Sequence, residues 1–465
     1  MYKNLKLYKL FTCCIAALLH GFTLAQTPLS DSAVMRSIYT FQLTQGSAYE
    51  QLRTLTKTIG GRLSGSKQAE AAVYWAKKTM LEAGADTVYL QACMVPHWER
   101  GQKERALLLH SKTTTPLKVI ALGSSVGTGP DGLEAEVVEV KSFEELEKLG
   151  STHIQGKIVF YNVFFDQSKI RTGAAYGEAV VFRSKGASMA AQYGAVASVV
   201  RSMASNADDE PHTGNMNYYT SISERKIPAF ALSYTSADIL AKTLKHVPHA
   251  KLRLVSTCRN LAESPSFNVI GELKGSLFPN QYLICGGHLD SWDNGEGAHD
   301  DGAGIVQSIA VLEGFKKLGI RPYHTLRAVA FMNEENGLGG ALAYANNAKQ
   351  KHELHLAALE SDAGGFTPRG FGVDTTKGLY QTVKNWMPLF KPYFIDRIDA
   401  GGGGADISPL EEQGVPCIGF EPDTQRYFDI HHTAADTFDK INKRELLLGA
   451  AGIQALMYLL DRHLL

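Results

Sequence analysis

The stretch CGGHLDSWDNGEGAHDDGAG, residues 285–304, carries residue types that bind metal ions. It places His288, Asp290, Asp300 and Asp301 in a glycine-rich loop. The apolar run before it, 282–285, predicts a buried strand, and the apolar run 305–318 predicts a helix. A strand that ends in His-x-Asp, followed by an Asp-Asp pair at a helix start, has the makings of half a metal site. Imidazole and carboxylate together suit zinc. Asp290 is placed to accept the other ring N–H of His288 and so to set its tautomer. Alone, the stretch would equally fit polar loop residues beside a sheet.

More acids and imidazoles fall at the ends of other predicted strands. The strand 324–333 runs into Asn333-Glu334-Glu335-Asn336-Gly337, and the strand 354–361 into Ser361-Asp362-Ala363-Gly364. The strand 415–421 is followed by His431-His432-Thr433-Ala434-Ala435-Asp436. One such residue is an ordinary polar strand end; a set of them, with two adjacent acids in one place, is a constellation. Two histidines and three carboxylates suffice for two metal ions. A two-metal site also needs a bridging carboxylate and a free base. Asp300 can bridge. Glu334 and Glu335, neighbours at a strand end, point in different directions, so one can bind metal while the other serves as base.

The elements that must position these residues alternate regularly from Ser266 onward. Strands are expected at 267–273, 281–286, 324–333, 354–361 and 415–421. Helices are expected at 305–318, 338–348, 376–389, 406–413 and 443–460. Strand–helix repetition with continuous apolar strands predicts an α/β fold, a mixed sheet covered by helices on both faces. Before it, 48–55 and 68–83 read as helices, 60–66 and 96–101 as loops, and 87–94, 105–109 and 117–121 as strands. The texture changes near Gly123, where 127–132 has the composition of a linker. The block 125–262, with short strands and few helices, reads as an inserted domain. It offers no evident chemistry, and its lone His212 reads as a solvent-exposed loop residue.

The chain has 465 residues, too many for one ordinary domain, and 44% apolar content is normal for a globular protein. Zero formal net charge gives no argument for nucleic acid or an acidic membrane. Residues 1–25 have the pattern of a secretory signal peptide: lysines at 3, 6 and 9, an apolar core at 10–19, and small residues before cleavage after Ala25. The expectation is therefore a secreted or periplasmic protein with no membrane span after signal removal. Residues 26–124 and 263–465 would then form one catalytic unit around the insertion. Thr27 to Ile38 reads as a short mature N-terminus. Cys93, Cys258, Cys285 and Cys417 remain after the signal; their pairing is open, with a free buried thiol favoured at Cys285.

The motifs HLDS, GAHDDGAG, NEEN, ESDAG and HHTAADT, and the spacing between them, resemble the di-zinc peptidases that include bacterial aminopeptidases and glutamate carboxypeptidases. GGRLSGS, PHWERG, GHLDSWD and FDIHHTAADT are similar to a secreted dipeptidase branch of that family. The resemblance covers nearly the whole mature chain. It implies that 125–262 is a protease-associated domain, that the active protein holds two zinc ions, and that it is a homodimer. It implies that His288 and Asp362 bind one zinc, Glu335 and His432 the other, and that Asp300 bridges them. Glu334 would be the general base and acid, and Asp290 would orient His288. The Asp300–Asp301 peptide would be cis. His432 is preferred to His431 as ligand because it stands four residues before Asp436, the family's spacing. His431 then has two readings: a donor to the developing oxyanion, or a residue holding its neighbour. Asp406 also has two: a grip on a substrate terminus, or a helix N-cap. The implied substrates are dipeptides or short peptides with free termini. The alternatives are an aminopeptidase acting on longer peptides and a non-catalytic receptor-like relative.

Overall fold

Two eight-stranded sheets share the chain. The computed structural model describes residues 30–464, so the expected signal peptide lies outside the described residues. The first sheet has the order Thr87–Glu99, Arg259–Leu273, His324–Phe331, Phe278–His288, Leu354–Glu360, Cys417–Pro422, Pro368–Val373, Arg397–Ala400. Its centre is parallel: Phe278–His288 lies between His324–Phe331 and Leu354–Glu360, and Cys417–Pro422 follows Leu354–Glu360 in the same sense. These strands are apolar because both faces are covered. Leu283 and Cys285 face helices Asp31–Gln45, Lys67–Glu82, Ala303–Lys317 and Lys443–His463. Ile284, between them, faces helix Gly339–Gln350. Since the central strands run in parallel, their carboxyl ends gather on one edge, which is where the acids and histidines stand.

The second sheet has the order Thr113–Leu117, Arg105–His110, Lys251–Ser256, Gly129–Val140, Ile158–Tyr161, Ala197–Arg201, Ala229–Leu232, Val119–Ala121. It thus begins at Arg105 rather than after Gly123. Two of the three strands expected in the first catalytic segment, 105–109 and 117–121, pair here instead, and the 117–121 strand is split between two partners. The linker-like composition at 127–132 marks a register shift inside a strand: Gly129 and Gly132 have positive φ and the pairing slips between Gly129 and Leu133. The chain leaves the first sheet at Glu99 and returns at Arg259. These two residues are cross-strand partners, and their side chains pair at 2.7 Å.

Other expectations need correction. The segment read as a short N-terminus contains helix Asp31–Gln45, which buries Met35, Ile38, Tyr39 and Gln42 at helical spacing. The expected loop 96–101 continues a strand to Glu99, with a register shift at Pro96, which has no N–H to donate. The expected helix 376–389 is interrupted, and Pro388 opens a separate short helix, Met387–Phe390. The short strands Pro368–Val373 and Arg397–Ala400 were not evident, since glycine and charge break their pattern. Cys93, Cys258, Cys285 and Cys417 are free and buried. Among the described residues no helix is long and apolar enough to cross a membrane.

The N-terminal helix closes the helical layer over the first sheet. Ile38 is fully buried. Ile38→Ala should cost about 2–5 kcal/mol, the usual range for a buried large-to-small change. The measurement is a denaturant titration, and an unchanged midpoint would show that this helix is not part of the core.

Candidate active site

Each of the five expected ligands is delivered by a strand end or a loop at the carboxyl edge of the first sheet, and all five converge. His288 ends strand Phe278–His288; its Nε2 lies 3.1 Å from Asp300 Oδ1 and 3.5 Å from Asp362 Oδ1. His432 Nε2 lies 3.3 Å from Asp300 Oδ2 and 3.1 Å from Glu335 Oε2. Asp300 therefore sends one oxygen toward each histidine. Its peptide bond to Asp301 is cis.

A tetrahedral zinc with ligand bonds of about 2.0–2.2 Å separates its ligand atoms by about 3.3–3.6 Å. The four distances match that spacing within a few tenths of an ångström. Asp300 Oδ2 and Asp362 Oδ1 are also buried without a hydrogen-bond partner. Oxygens of that kind suit a cation. Two further residues come within ligand reach: Asp301 beside His288 and Asp362, and His431 beside Asp300 and His432. Asp301 is already engaged, accepting the N–H of His288 at 3.1 Å and of Gly304 at 2.9 Å. His431 stacks on His432 with ring centroids 3.6 Å apart, and its Nε2 is 3.7 Å from Asp300 Oδ2. Tyr176, Tyr427 and Phe428 surround its ring.

Asp290 holds the site by a different route from the one expected. His288 Nδ1 meets the backbone carbonyl of Asp290 at 3.0 Å, while the nearer carboxylate oxygen is 4.0 Å away. The carboxylate instead accepts three successive N–H groups, from Asn333 at 2.7 Å, Glu334 at 3.1 Å and Glu335 at 3.4 Å. It fixes the turn that presents the two glutamates. Trp292 N–H then donates to Glu335 Oε1 at 3.1 Å.

The structure corrects one residue read from sequence and closes one of two open readings at another. His212 is buried, not exposed, and stands next to the histidine pair; burial and then the charge of His432 push it down to about 3. Asp406 is not a helix cap. Its carboxylate is buried with no hydrogen-bond partner on either oxygen, and the residue preceding helix Ser408–Glu411 is Ile407. Three supporting residues lie in motifs noted in the sequence, with no role assigned to them there. Arg62, fully buried in the GGRLSGS loop, donates to the carbonyls of Leu289, Glu296 and Gly297. Asp436 accepts the N–H of His299 at 2.8 Å and of Asp300 at 3.1 Å, so it holds the backbone at Asp300. Ser64 joins Asn333 and Asn336 below the glutamates.

The electrostatics follow from crowding acids in a dry place. Burial pushes Glu335 up to about 7, helped by Asp300. Burial pushes Glu360 up to about 8, helped by Asp362, and Asp436 up to about 7. Glu334 is raised well above the ordinary range by burial and then by Asp362, Glu335 and Asp300, against the opposing charge of His288. For His288 and His432, burial opposes the charge but the facing carboxylates outweigh it, so both are raised. Asp300 is the exception: burial would raise it, yet the two histidines hold it well below the usual range. His431 is kept neutral by burial and by His432.

A group with a raised folded pKa keeps its proton after the unfolded chain has lost it, so stability falls as pH rises between the two values. For Glu335, Asp436 and Glu360 that window runs from the ordinary carboxylate range, about 4–4.5, to about 7–8. Raised His288 and His432 act in the same direction at higher pH, whereas depressed His212, His299, His355 and His431 oppose it up to the ordinary imidazole value, about 6.5. Depressed Asp300 acts oppositely, but only in strong acid. Metal-free protein should therefore melt at a lower temperature at pH 8 than at pH 5.5. Zinc should restore more stability at pH 8, because its binding must displace protons. Calorimetry at both pH values checks this; a zinc effect larger at pH 5.5 would contradict the assigned charges.

Comparison with known proteins identifies the family. Residues 268–457 match the model of peptidase family M28. The chain is 36% identical to human carboxypeptidase Q over 407 residues, covering 88% of this chain and 84% of the relative. It superposes on the crystal structure of a peptidase M28 precursor from Shewanella amazonensis with a TM-score of 0.87 and 34% identity, covering 93% and 96% of the two chains. A zinc aminopeptidase from Bacillus subtilis shares the fold, with a TM-score of 0.63 and 20% identity over 88% of this chain and 94% of that one. The chain thus belongs to peptidase family M28, in the company of carboxypeptidase Q, and it is a metallopeptidase.

Proposed function

We propose that this protein is a secreted or periplasmic di-zinc dipeptidase that cleaves dipeptides or short peptides with free termini. The observation that carries the two-metal reading is the Asp300 carboxylate, whose oxygens lie 3.1 Å and 3.3 Å from the ring nitrogens of two different histidines. His288 and Asp362 would hold one zinc, His432 and Glu335 the other, with Asp300 between. Bound there, zinc supplies Lewis acidity to the substrate carbonyl and to the attacking water.

The chain's own residues do the rest. Glu334 is half-buried beside the ligands and has an elevated proton affinity from burial and neighbouring acids. It takes a proton from water and returns it to the leaving amine. His431, neutral within its aromatic surround, offers a ring N–H to the oxygen where negative charge develops. Asp290 keeps Glu334 and Glu335 on opposite tasks by fixing the peptide units between them. The second sheet belongs to an inserted protease-associated unit in this reading, and the active protein is a homodimer. A receptor-like protein would have no use for Glu334 beside a full ligand set.

Glu334→Gln should keep its metal and lower turnover about 10²–10⁴-fold, the usual worth of acid–base catalysis, with little change in the Michaelis constant. Glu335→Gln should instead lose metal, so that added zinc restores part of the activity. Loss of metal by Glu334→Gln and retention by Glu335→Gln would reverse the two roles. Mass spectrometry of products from dipeptides and longer peptides, with free and blocked ends, tests the substrate class. Stepwise trimming of long peptides from their amino ends would favour the aminopeptidase alternative.

A further inference from the structure

The two metal-facing histidines are oriented by different parts of the chain. His288 uses its own loop, through the Asp290 carbonyl. His432 uses the second-sheet unit. Its Nδ1 lies 3.3 Å from the carbonyl of Thr213, in the segment between strands Ala197–Arg201 and Ala229–Leu232. The Thr213 N–H donates back to the His432 carbonyl at 3.0 Å. Among the described residues no group of the first-sheet unit accepts from His432 Nδ1. Its other neighbour, Arg183 Nη1 at 3.4 Å, is a donor and cannot accept a proton.

A ring nitrogen that faces a carbonyl must carry the hydrogen. The other nitrogen, Nε2, is then the one free to bind metal, and it is the one that faces Glu335 and Asp300. His432 itself sits at φ +61°, a left-handed conformation that needs support. The supporting segment is firmly built. Thr213 is fully buried and its hydroxyl donates to the Ala121 carbonyl at 2.9 Å. Gly123 N–H donates to the Gly214 carbonyl at 3.0 Å. Gly214 has φ +129°, and a Cβ there would run into the Arg183 guanidinium and come within 2.7 Å of His432 Nδ1. Only glycine lets this peptide approach so closely.

We propose that the Thr213–Gly214 peptide is a positioning element of the metal site, so that docking of the second-sheet unit and occupancy of the His432–Glu335 position are one linked equilibrium. The inference rests on the reading of His432 as a ligand. It makes the second-sheet unit a part of the catalytic centre rather than a cover. Linkage works both ways: what binds the docked state stabilises docking, and undocking releases what was bound.

Two measurements test it. The first is zinc titration of wild type and Gly214→Ala against a competing chelator. The variant should bind one zinc as wild type does and the other about 10–100-fold more weakly, the usual effect of disturbing a ligand's hydrogen-bond partner. The second is hydrogen exchange of the wild type with one and with two equivalents of zinc. Filling the second position should slow exchange across 212–216. Equal affinity at both positions in Gly214→Ala, or an equal loss at both, would overturn the proposal. So would exchange at 212–216 that ignores zinc, a result that stands even if the variant fails to fold. A wild type that binds no zinc would overturn the ligand reading itself.

Discussion

Negative charge gathered in a dry place is the constraint around which this structure is arranged. Asp290, Asp300, Asp301, Glu335, Asp362, Asp406 and Asp436 lie at or near one sheet edge, all buried except the partly buried Asp362. Two like charges about 4 Å apart repel by about 4 kcal/mol at the effective dielectric of a protein. Such a set persists when its carboxylates have assigned partners or keep a proton; Asp406, with no partner on either oxygen, is raised well above the usual carboxylate range by burial and then by Glu360. Asp290, Asp301 and Asp436 are held by backbone N–H groups, so they act as struts. Asp300, Glu335 and Asp362 face the histidines and leave oxygens over for a cation. The division between struts and ligands is a division of hydrogen-bond partners, not of residue type.

Arg62 is the fixed cation of the arrangement. It touches no carboxylate. It grips three carbonyls of the loop between His288 and Asp300, and its charge is felt by Asp436, Asp290, Asp301 and Glu335. Burial alone would lower its affinity for a proton, and the surrounding acids oppose that effect. A lysine would bring the charge but not the fork of donors that lets one side chain shape a whole loop. The carboxylate cluster therefore has a fixed, fully buried positive neighbour.

The close packing at the site also explains its glycines. A Cβ on Gly304 would collide with the Ser361 carbonyl and the Asp301 carboxylate. Helix Ala303–Lys317 can start against the ligand loop only because that position has no side chain. The GAHDDGAG motif thus records backbone proximity as much as chemistry.

How much of this was legible in the chain depends on the range of the interaction. The apolar strands and the acids at their ends are local patterns, with spacing set by residues near in sequence. They determined the parallel centre of the first sheet, the edge on which the site forms, and its residue types. The HDD and NEEN runs, with the family resemblance, were enough to nominate His288, Asp300, Glu334, Glu335, Asp362 and His432. Sheet membership was not local. Strands 105–110 and 119–121 look alike in sequence to strands of the first sheet, and only their partners at 251–256 and 229–232 assign them to the second. Asp290 illustrates the same limit: two residues from His288 it suggested a side-chain contact, but three N–H groups more than forty positions away outbid the imidazole for its carboxylate. His212 was misjudged because burial is a property of what folds over a loop. Residue type and short spacing determined what chemistry the protein has; long-range packing decided which groups hold it in place, because a hydrogen bond belongs to whichever partner the fold brings nearest.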